Sequence, residues 1–249
     1  MSLTAAGRHF RDAVVAGLGV ISAGATEATY LSNGDQVVIA CGHDISHLVV
    51  FQRYDVLRAT LGKDTRVRLL TYQRNPRAMP IDPIADIVLA WNTTNVAAED
   101  MALVFKEEVQ LVCSPGYAAT HADTLSKPIS DWGGLTFLDV DSPNLGWATW
   151  SDWFETAGYP VPRPRFEGFD SYVQVLEAAC AGLGIALGWR NCIERYLDSG
   201  AIEMLAEGFV EFDNSFVAAL TAKGRRNASA RKCLAFFEHW PLRGTTPTQ

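Results

Sequence analysis

The sequence of 249 residues contains no uninterrupted apolar run of the roughly 18 residues that a membrane-spanning helix needs. Its first residues also lack the basic and then apolar stretches of a secretory signal peptide. Arg8 is the first basic residue, and glycines and polar residues interrupt the apolar residues after it. These two absences predict a cytoplasmic protein that has no membrane partner.

Cysteine is scarce, and its spacing shows no pattern of paired ligands or bridges. The five residues, an odd number, include no C-x-x-C pair, which argues against a zinc site and against a secreted disulfide framework. His43 and His47 lie four residues apart, but no H-E-x-x-H motif accompanies them, so a surface or pocket role is favoured over a metal site. We therefore predict reduced, mostly buried thiols, no metal and no cofactor.

Positive charge is also in short supply, with 21 Lys and Arg residues against 28 Asp and Glu residues and a formal net charge of −7. A chain that binds nucleic acid directly usually carries a basic patch or stripe. The basic cluster at residues 223–232 straddles the start of the last predicted helix, and we interpret it as a solvated helix face. We expect no specific binding of duplex DNA by this chain itself.

The signatures of several common enzyme classes are missing as well. The sequence has neither a G-x-x-x-x-G-K-[ST] phosphate loop nor a G-x-S-x-G nucleophile turn. Gly182 and Gly184 come after a predicted helix and precede a predicted strand, which is the reverse of the order in a dinucleotide-binding turn. No set of nucleophile, base and orienting group is recognisable, so we predict a binding protein without catalytic residues.

The residues that are present predict an α/β fold. Short β-branched apolar runs indicate buried strands over 36–41, 66–72 and 86–91. A helix predicted over 45–61 lies between the first two strands, and a strand, a helix and a strand in this order form a parallel unit.

A second α/β run comes after the first and ends in one returning strand and helix. Trp147, Trp150 and Trp153 recur at i, i+3 and i+6, which predicts core packing on one helix. Asp170 is predicted to cap the next long helix. The predicted strands of this part are 101–113, 134–139, 165–167, 183–187 and 211–221. The predicted helices are one that opens at 114–116 and those over 147–157, 171–181, 191–197 and 228–240.

The N-terminal segment predicts an amphipathic helix with one apolar stripe. The stripe consists of Leu3, Ala6, Phe10, Val14, Leu18 and Ile21. Such a helix either docks on its own domain or meets its copy in a partner chain. We favour the second alternative and expect self-association.

Small, polar or aromatic residues come directly after the predicted apolar strands. In open parallel sheets, ligands bind beyond the carboxyl ends of the strands, and helix N-termini there offer free backbone N–H groups. We predict that one small-molecule site is lined by His43, Asp44, Ser46, Trp91, Asn92, Thr93, Phe169, Asp170 and Trp189.

Within this predicted site, Trp91 and Trp189 are expected to enclose an apolar ligand body, while Asn92, Ser46 and the helix N-termini hold a polar end. His43 and Asp44 favour a ligand that carries an amino group as well as an acid. The alternative is that His43 and Asp44 only cap the helix 44–60, a role worth about 1 kcal/mol for an aspartate.

Several motifs together resemble LysR-type transcriptional regulators. Leu3–Phe10 resembles the start of their linker helix, and Val112-Cys113-Ser114-Pro115 resembles the entry to their second regulatory subdomain. Trp150-x-x-Trp153-Phe154-x-x-Ala157-Gly158 resembles the W-x-x-W-L-x-x-A-G pattern of the glycine-cleavage-activator-like branch. Gly168-Phe169-Asp170 and Glu177–Leu187 are similar to that branch's F-D helix and A-A-x-x-G-x-G-V-A-L turn.

The sequence departs from that branch in three places. The N-terminal DNA-binding domain has no counterpart in these residues, so we expect a truncated regulator that would contact DNA only through the missing domain. The W-L-x-P-R-L stretch of the first helix is replaced by Val49–Tyr54. The Ser/Thr-rich ligand loop reads Gly42–His47 here, and its histidine and aspartate argue against the usual carboxylate effector.

The resemblance implies a type 2 periplasmic-binding-protein-like fold. In it, a linker helix (1–28) precedes two Rossmann-like subdomains (34–112 plus 213–242, and 113–212) joined by two crossover strands. The effector, a carboxylate or amino-acid-like molecule, would lie between the subdomains and control transcription. The chain would form a homodimer or tetramer, with helices 44–60 and 170–181 as candidate interface elements. The alternative is a free-standing solute-binding protein of a transporter, which has the same fold but needs an export signal.

Overall fold

The computed structural model describes residues 4–31, 35–72, 81, 83–93, 96–141, 146–160 and 165–240. The start of the predicted linker helix at residues 1–3, which includes Leu3 of the stripe, lies outside the described residues. Residue 34 and residues 241–242, at the predicted bounds of the first subdomain, also lie outside them. The described helices are α1 (Ala5–Leu31), α2 (His43–Leu48), α3 (Tyr54–Leu61), α4 (Pro115–Thr120), α5 (Ala122–Leu125), α6 (Trp150–Thr156), α7 (Tyr172–Cys180), α8 (Glu194–Asp198) and α9 (Ala228–Glu238). The described strands are β1 (Gln36–Gly42), β2 (Arg66–Tyr72), β3 (Ile87–Trp91), β4 (Met101–Cys113), β5 (Thr136–Val140), β6 (Arg165–Phe169), β7 (Ile185–Trp189), β8 (Glu203–Met204) and β9 (Val210–Leu220).

These strands form one mixed sheet in the order β2-β1-β3-β9-β4-β7-β5-β6, with β8 paired to β4. β1 is parallel to β2 and β3, and β5 is parallel to β6 and β7. β9 runs antiparallel to β3 and to β4, and β4 runs antiparallel to β7. Two parallel groups of strands therefore lie on either side of a pair of long strands, which confirms the α/β prediction.

The first strand shows why the parallel groups form from such apolar sequences. Val37 and Ile39 pack in the main core, whereas Val38 and Ala40 pack in a smaller cluster. Because successive side chains of a strand point to opposite faces, β1 is covered on both faces. A continuous β-branched run is the pattern that such a strand requires.

The helix predicted over 45–61 is broken. α2 ends at Leu48, Val50–Arg53 form a 3₁₀ turn, and α3 begins at Tyr54. Leu48, Val49 and Val50 are all buried. Consecutive residues of a straight α-helix point about 100° apart, so three in a row do not all face one core. The break allows all three side chains to pack inward.

The helix predicted over 147–157 begins later than expected. Thr149 is the N-cap of α6, and Thr149 and Asp152 form a capping box in which each side chain binds the other residue's backbone N–H. The prediction that Trp147 shares a helix face with Trp150 and Trp153 is therefore wrong. Trp150 and Trp153 are buried as expected, whereas Trp147 precedes the helix and is half-buried.

The N-cap of α7 also differs from the prediction. Ser171, not Asp170, is the cap, and its Oγ accepts a hydrogen bond from the backbone N–H of Gln174 at 3.4 Å. Asp170 lies one residue earlier and is exposed. The serine hydroxyl is short enough to reach the N3 position from the extended backbone of a cap residue.

All five cysteines are free and four are buried, as predicted. Burial raises the pKa of the Cys41 thiol to about 12.

The N-terminal helix α1 extends beyond the predicted residue 28 to Leu31. Its Phe10, Leu18 and Ile21 side chains are largely exposed. Within the part of the chain that the structure describes, no helix is both long and apolar enough to cross a membrane.

Candidate functional site

A cavity of about 390 Å³ lies at the carboxyl ends of β5 and β7. This volume is within the range of about 300–1,000 Å³ that small-molecule sites occupy. The first turns of α6 and α7 face it, so the cavity has the position expected for a ligand site in an α/β sheet. The wall consists of Leu138, Asp139, Val140, Gly146, Trp147, Ala148, Thr149, Trp150, Asp152, Tyr172, Val175, Leu187 and Trp189.

Aromatic side chains form much of this wall. The ring centroid of Trp147 lies 5.5 Å from that of Trp189 and 6.2 Å from that of Tyr172. Tyr172 and Trp189 contact each other edge to face at 4.8 Å. The edge-to-face contact is a favourable arrangement of aromatic rings, and the two contacts of Trp147 are tilted. The cluster gives the cavity an apolar side.

A buried carboxylate lies directly behind the aromatic wall. Glu107 of β4 is fully buried, and its Oε1 accepts hydrogen bonds from the backbone N–H of Ala148 at 2.8 Å and from Trp189 Nε1 at 2.5 Å. Its Oε2 accepts from Asn214 Nδ2 at 2.5 Å. A buried carboxylate is costly unless it is hydrogen-bonded, and here three donors satisfy it. Glu107 therefore joins two wall residues to β9.

Asn92 extends this network to the end of β3. Its Nδ2 donates to Asn214 Oδ1 at 2.8 Å and to the carbonyl of Gly146 at 3.1 Å, and its Oδ1 accepts from the backbone N–H of Ser215 at 3.0 Å. The backbone of Asn92 has φ of 49°, a left-handed conformation that asparagine tolerates better than most residues. One side chain thus connects β3, β9 and the loop before α6.

Asp44 connects α2 to α7. Its Oδ1 accepts a hydrogen bond from the backbone N–H of Val173 at 3.2 Å, in the first turn of α7. The alternative expectation, that Asp44 caps its own helix, is wrong, because the N-cap of α2 is Gly42 and makes no side-chain cap bond. His47 on the same helix lies beside α8, with its Nε2 3.1 Å from Arg195 Nη2.

The nine predicted site residues are distributed over this region rather than around a single space. Trp189 lines the cavity, and Asn92 binds the wall residue Gly146. Trp91 instead packs in a second aromatic cluster, 5.0 Å from Phe216 and 5.8 Å from Phe105. The other six are half-buried or exposed and do not line the cavity: His43, Asp44, Ser46, Thr93, Phe169 and Asp170. Their role in effector binding stays a prediction.

Sequence reasoning missed several residues of the wall and its support. Trp147 is predicted to pack in a helix core, although the spacing of Thr149 and Asp152 places the helix start after it. Tyr172 has no distinguishing sequence signal, whereas Asp139 ends the predicted strand over 134–139 and so lies at a carboxyl strand end. Glu107 also has a sequence signal: residues 105, 107, 109 and 111 alternate on one face of β4 and are all buried, so the period of two predicts an inward carboxylate.

Comparisons with known proteins agree with this architecture. The LysR substrate binding domain family matches residues 32–241. The HTH-type transcriptional activator AmpR of Rhodobacter capsulatus is 31% identical over 117 residues, which are 47% of this chain and 37% of that protein. The chain thus spans little more than a third of that relative's length.

Solved structures of low sequence identity show the same fold. The effector domain of AmpR of Pseudomonas aeruginosa superposes with a TM-score of 0.63 at 20% identity, covering 82% of this chain and 94% of that one. CrgA, a LysR-type transcriptional regulator from Neisseria meningitidis, gives 0.66 at 18% identity, with 95% and 79% covered. The predicted type 2 periplasmic-binding-protein-like fold is confirmed, and the chain belongs to the LysR substrate-binding-domain family.

Proposed function

We propose that this chain is the effector-binding part of a cytoplasmic LysR-type transcriptional regulator, and that its effector binds in the cavity beside β5 and β7. The family and the named regulators support this role over that of a transporter's solute-binding protein. Binding to DNA would belong to a domain outside these residues, consistent with the acidic net charge of −7. The proposed role is binding rather than catalysis.

The observation on which the proposal depends is the position of the cavity relative to the long strand pair. Ala148 and Trp189 line the cavity and both donate to Glu107 on β4. Glu107 in turn accepts from Asn214 on β9. A ligand that contacts this wall would thus act directly on the two strands between the parallel groups.

We further propose that these two groups are the two subdomains, residues 34–112 plus 213–242 and residues 113–212. The polar connections from Asn92 to Gly146 and from Asp44 to Val173 would then join one subdomain to the other. An effector shifts a two-state equilibrium only if it binds one state better than the other. Gly146 also lines the cavity, so a different position of this residue in the two states would give the ligand different contacts and hence a different affinity.

The exposed face of α1 supports self-association as the second part of the role. Phe10, Val14, Leu18 and Ile21 of the predicted stripe are 40–72% exposed. An apolar stripe of this kind is unfavourable in water and marks a contact surface. We propose that it pairs with the same helix of another copy in a dimer or tetramer.

A thermal-shift screen of small molecules tests the cavity assignment, because a ligand that binds only the folded chain raises its melting temperature. Each compound that stabilises the wild type is retested on Trp147→Ala, which opens the cavity wall. The control is Phe51→Ala, which removes an exposed aromatic ring outside the wall. We expect Trp147→Ala to lose the shift and Phe51→Ala to retain it. Equal shifts in wild type and Trp147→Ala would contradict the proposal.

A further inference from the structure

The hydrogen-bond donors at one end of the cavity are already occupied by the protein's own carboxylates. Glu107 accepts from the backbone N–H of Ala148 at 2.8 Å. Asp152 Oδ2 accepts from the backbone N–H and from the hydroxyl of Thr149, both at 2.7 Å. A ligand carboxylate in this place would have to displace an internal one and would meet its negative charge.

The N-terminus of α7 is occupied in the same way. Asp44 Oδ1 accepts from the backbone N–H of Val173, and the hydroxyl of Ser171 accepts from that of Gln174. A helix N-terminus is otherwise a favourable place for an anion. In this protein Asp44 already supplies that anion, from another part of the fold.

The polar groups of three aromatic side chains of the wall already donate to partners within the protein. Trp150 Nε1 donates to the carbonyl of Leu138 at 3.1 Å, and the Tyr172 hydroxyl donates to the carbonyl of Leu187 at 3.0 Å. Trp189 Nε1 donates to Glu107. These three residues therefore offer a ligand ring surface rather than hydrogen-bond donors, and the faces of aromatic rings attract cations.

The charged residues of the wall are acidic. Asp139 and Asp152 line the cavity, and none of the described wall residues is Lys, Arg or His. Asp152 is engaged by Thr149, whereas Asp139 Oδ1 accepts from the backbone N–H of Val140 at 2.8 Å. Both carboxylates are exposed. Asp139 accepts one hydrogen bond and Asp152 accepts two, so Asp139 keeps more acceptor positions for a ligand.

We propose that the cavity binds an organic cation, such as a primary amine, with its charged group beside Asp139 and its body against the rings of Trp147 and Trp189. This inference rests on the proposed function and names the ligand class of the same site. An ammonium group can donate to the acidic side chains of the wall, and the rings add cation–π attraction. A molecule with only a carboxylate would find neither.

The electrostatics of Asp139 are compatible with this assignment. Partial desolvation by the surrounding atoms raises the pKa of its carboxyl, the hydrogen bond from the Val140 backbone N–H lowers it, and the neighbouring Asp141 raises it. A cation bound beside Asp139 would favour the charged carboxylate and oppose the net upward shift of the pKa.

The test uses three compounds that share a phenyl ring on a chain of two carbon atoms and differ in their polar group: phenethylammonium, 2-phenylethanol and phenylacetate. Their affinities are measured by isothermal titration calorimetry on the wild type, Asp139→Asn and the matched charge control Asp141→Asn, which lies outside the wall. We expect phenethylammonium to bind at least about tenfold more tightly than the other two compounds. Asp139→Asn should lose about that factor, Asp139→Glu should recover part of it, and Asp141→Asn should stay within about threefold.

The outcomes separate the two proposals. Tighter binding of phenylacetate or 2-phenylethanol that Trp147→Ala removes would overturn the cation assignment and leave the cavity as the effector site. Binding of any of the three compounds that Trp147→Ala leaves unchanged would contradict the cavity assignment itself. Absence of phenethylammonium binding up to about 10 mM, an affinity weaker than about −3 kcal/mol, would overturn the cation assignment.

Discussion

The carboxylate of Asp44 accepts a hydrogen bond from the backbone N–H of Val173, 129 residues away in the sequence, at 3.2 Å. The donor belongs to the first turn of α7, where backbone N–H groups have no partner within the helix. Asp44 on α2 thereby satisfies a backbone donor of α7, which lies on the other side of the long strand pair. It also occupies an anion position that an effector carboxylate would otherwise use.

Asp44→Ala should lower the free energy of unfolding by about 1 kcal/mol, because it removes a helix-capping interaction. Urea denaturation followed by circular dichroism measures the change. Asp64→Ala, which removes an exposed aspartate from the turn before β2, is the control and should stay within about 0.5 kcal/mol of the wild type. A larger loss in the control than in Asp44→Ala would contradict this account of the contact.

Glu107→Gln should lower the free energy of unfolding by about 2–3 kcal/mol. All three partners of Glu107 are donors, so the amide group of glutamine would face at least one of them and leave a buried donor unsatisfied. Glu108→Gln is the matched control. Glu108 pairs with Arg190 at 3.1 Å near the surface, and its loss should cost at most about 1 kcal/mol. Equal costs for the two variants would contradict the role of Glu107.

Leu18→Glu should shift the chain from an oligomer toward a monomer, since the exposed stripe of α1 would then carry a charge. Light scattering at about 100 µM measures the mass in solution, and weak self-association is populated at this concentration. Val20→Glu introduces the same charge away from the stripe and should leave the mass unchanged. A monomeric wild type would contradict the proposed pairing.

Asp139→Asn should stabilise the folded chain, and the gain should grow with pH. Desolvation raises the pKa of Asp139 above its usual 3.8, so the folded chain holds this proton more tightly than the unfolded chain. The stability that the group contributes is present below pH 3.8 and is lost as the pH rises through the raised pKa. Melting temperatures of variant and wild type between about pH 4 and 7 measure the difference. The same difference at every pH would contradict this mechanism.

Much of the sheet was predictable from local sequence. The long strands β4 and β9 and the buried strands β1 and β3 follow from β-branched runs and from the period of two. The break at Val49 and Val50 was not predictable in this way, because it depends on which side chains the completed core accepts. The start of α6 was predictable in principle, since Thr149 and Asp152 have the spacing of a capping box.

The candidate site was harder to predict than the sheet, because its key contacts join distant parts of the chain. The sequence predicts a ligand site beyond the carboxyl ends of the strands, and the cavity lies at the carboxyl ends of β5 and β7. Of the predicted site residues, Trp189 lines the cavity. The link from Asn92 through Asn214 to Glu107 spans three elements. Side-chain type alone does not show that Trp91 packs with Phe105 and Phe216 while Trp189 packs with Trp147.

A crystal structure of the chain with phenethylammonium tests the central claim most directly. The account predicts ordered ligand in the cavity, with its nitrogen within hydrogen-bond distance, about 2.7–3.0 Å, of the Asp139 carboxylate. Its ring should lie against Trp147 and Trp189. Ordered ligand against His43, Ser46 and Trp91, with the cavity beside Asp139 occupied only by solvent, would contradict the account.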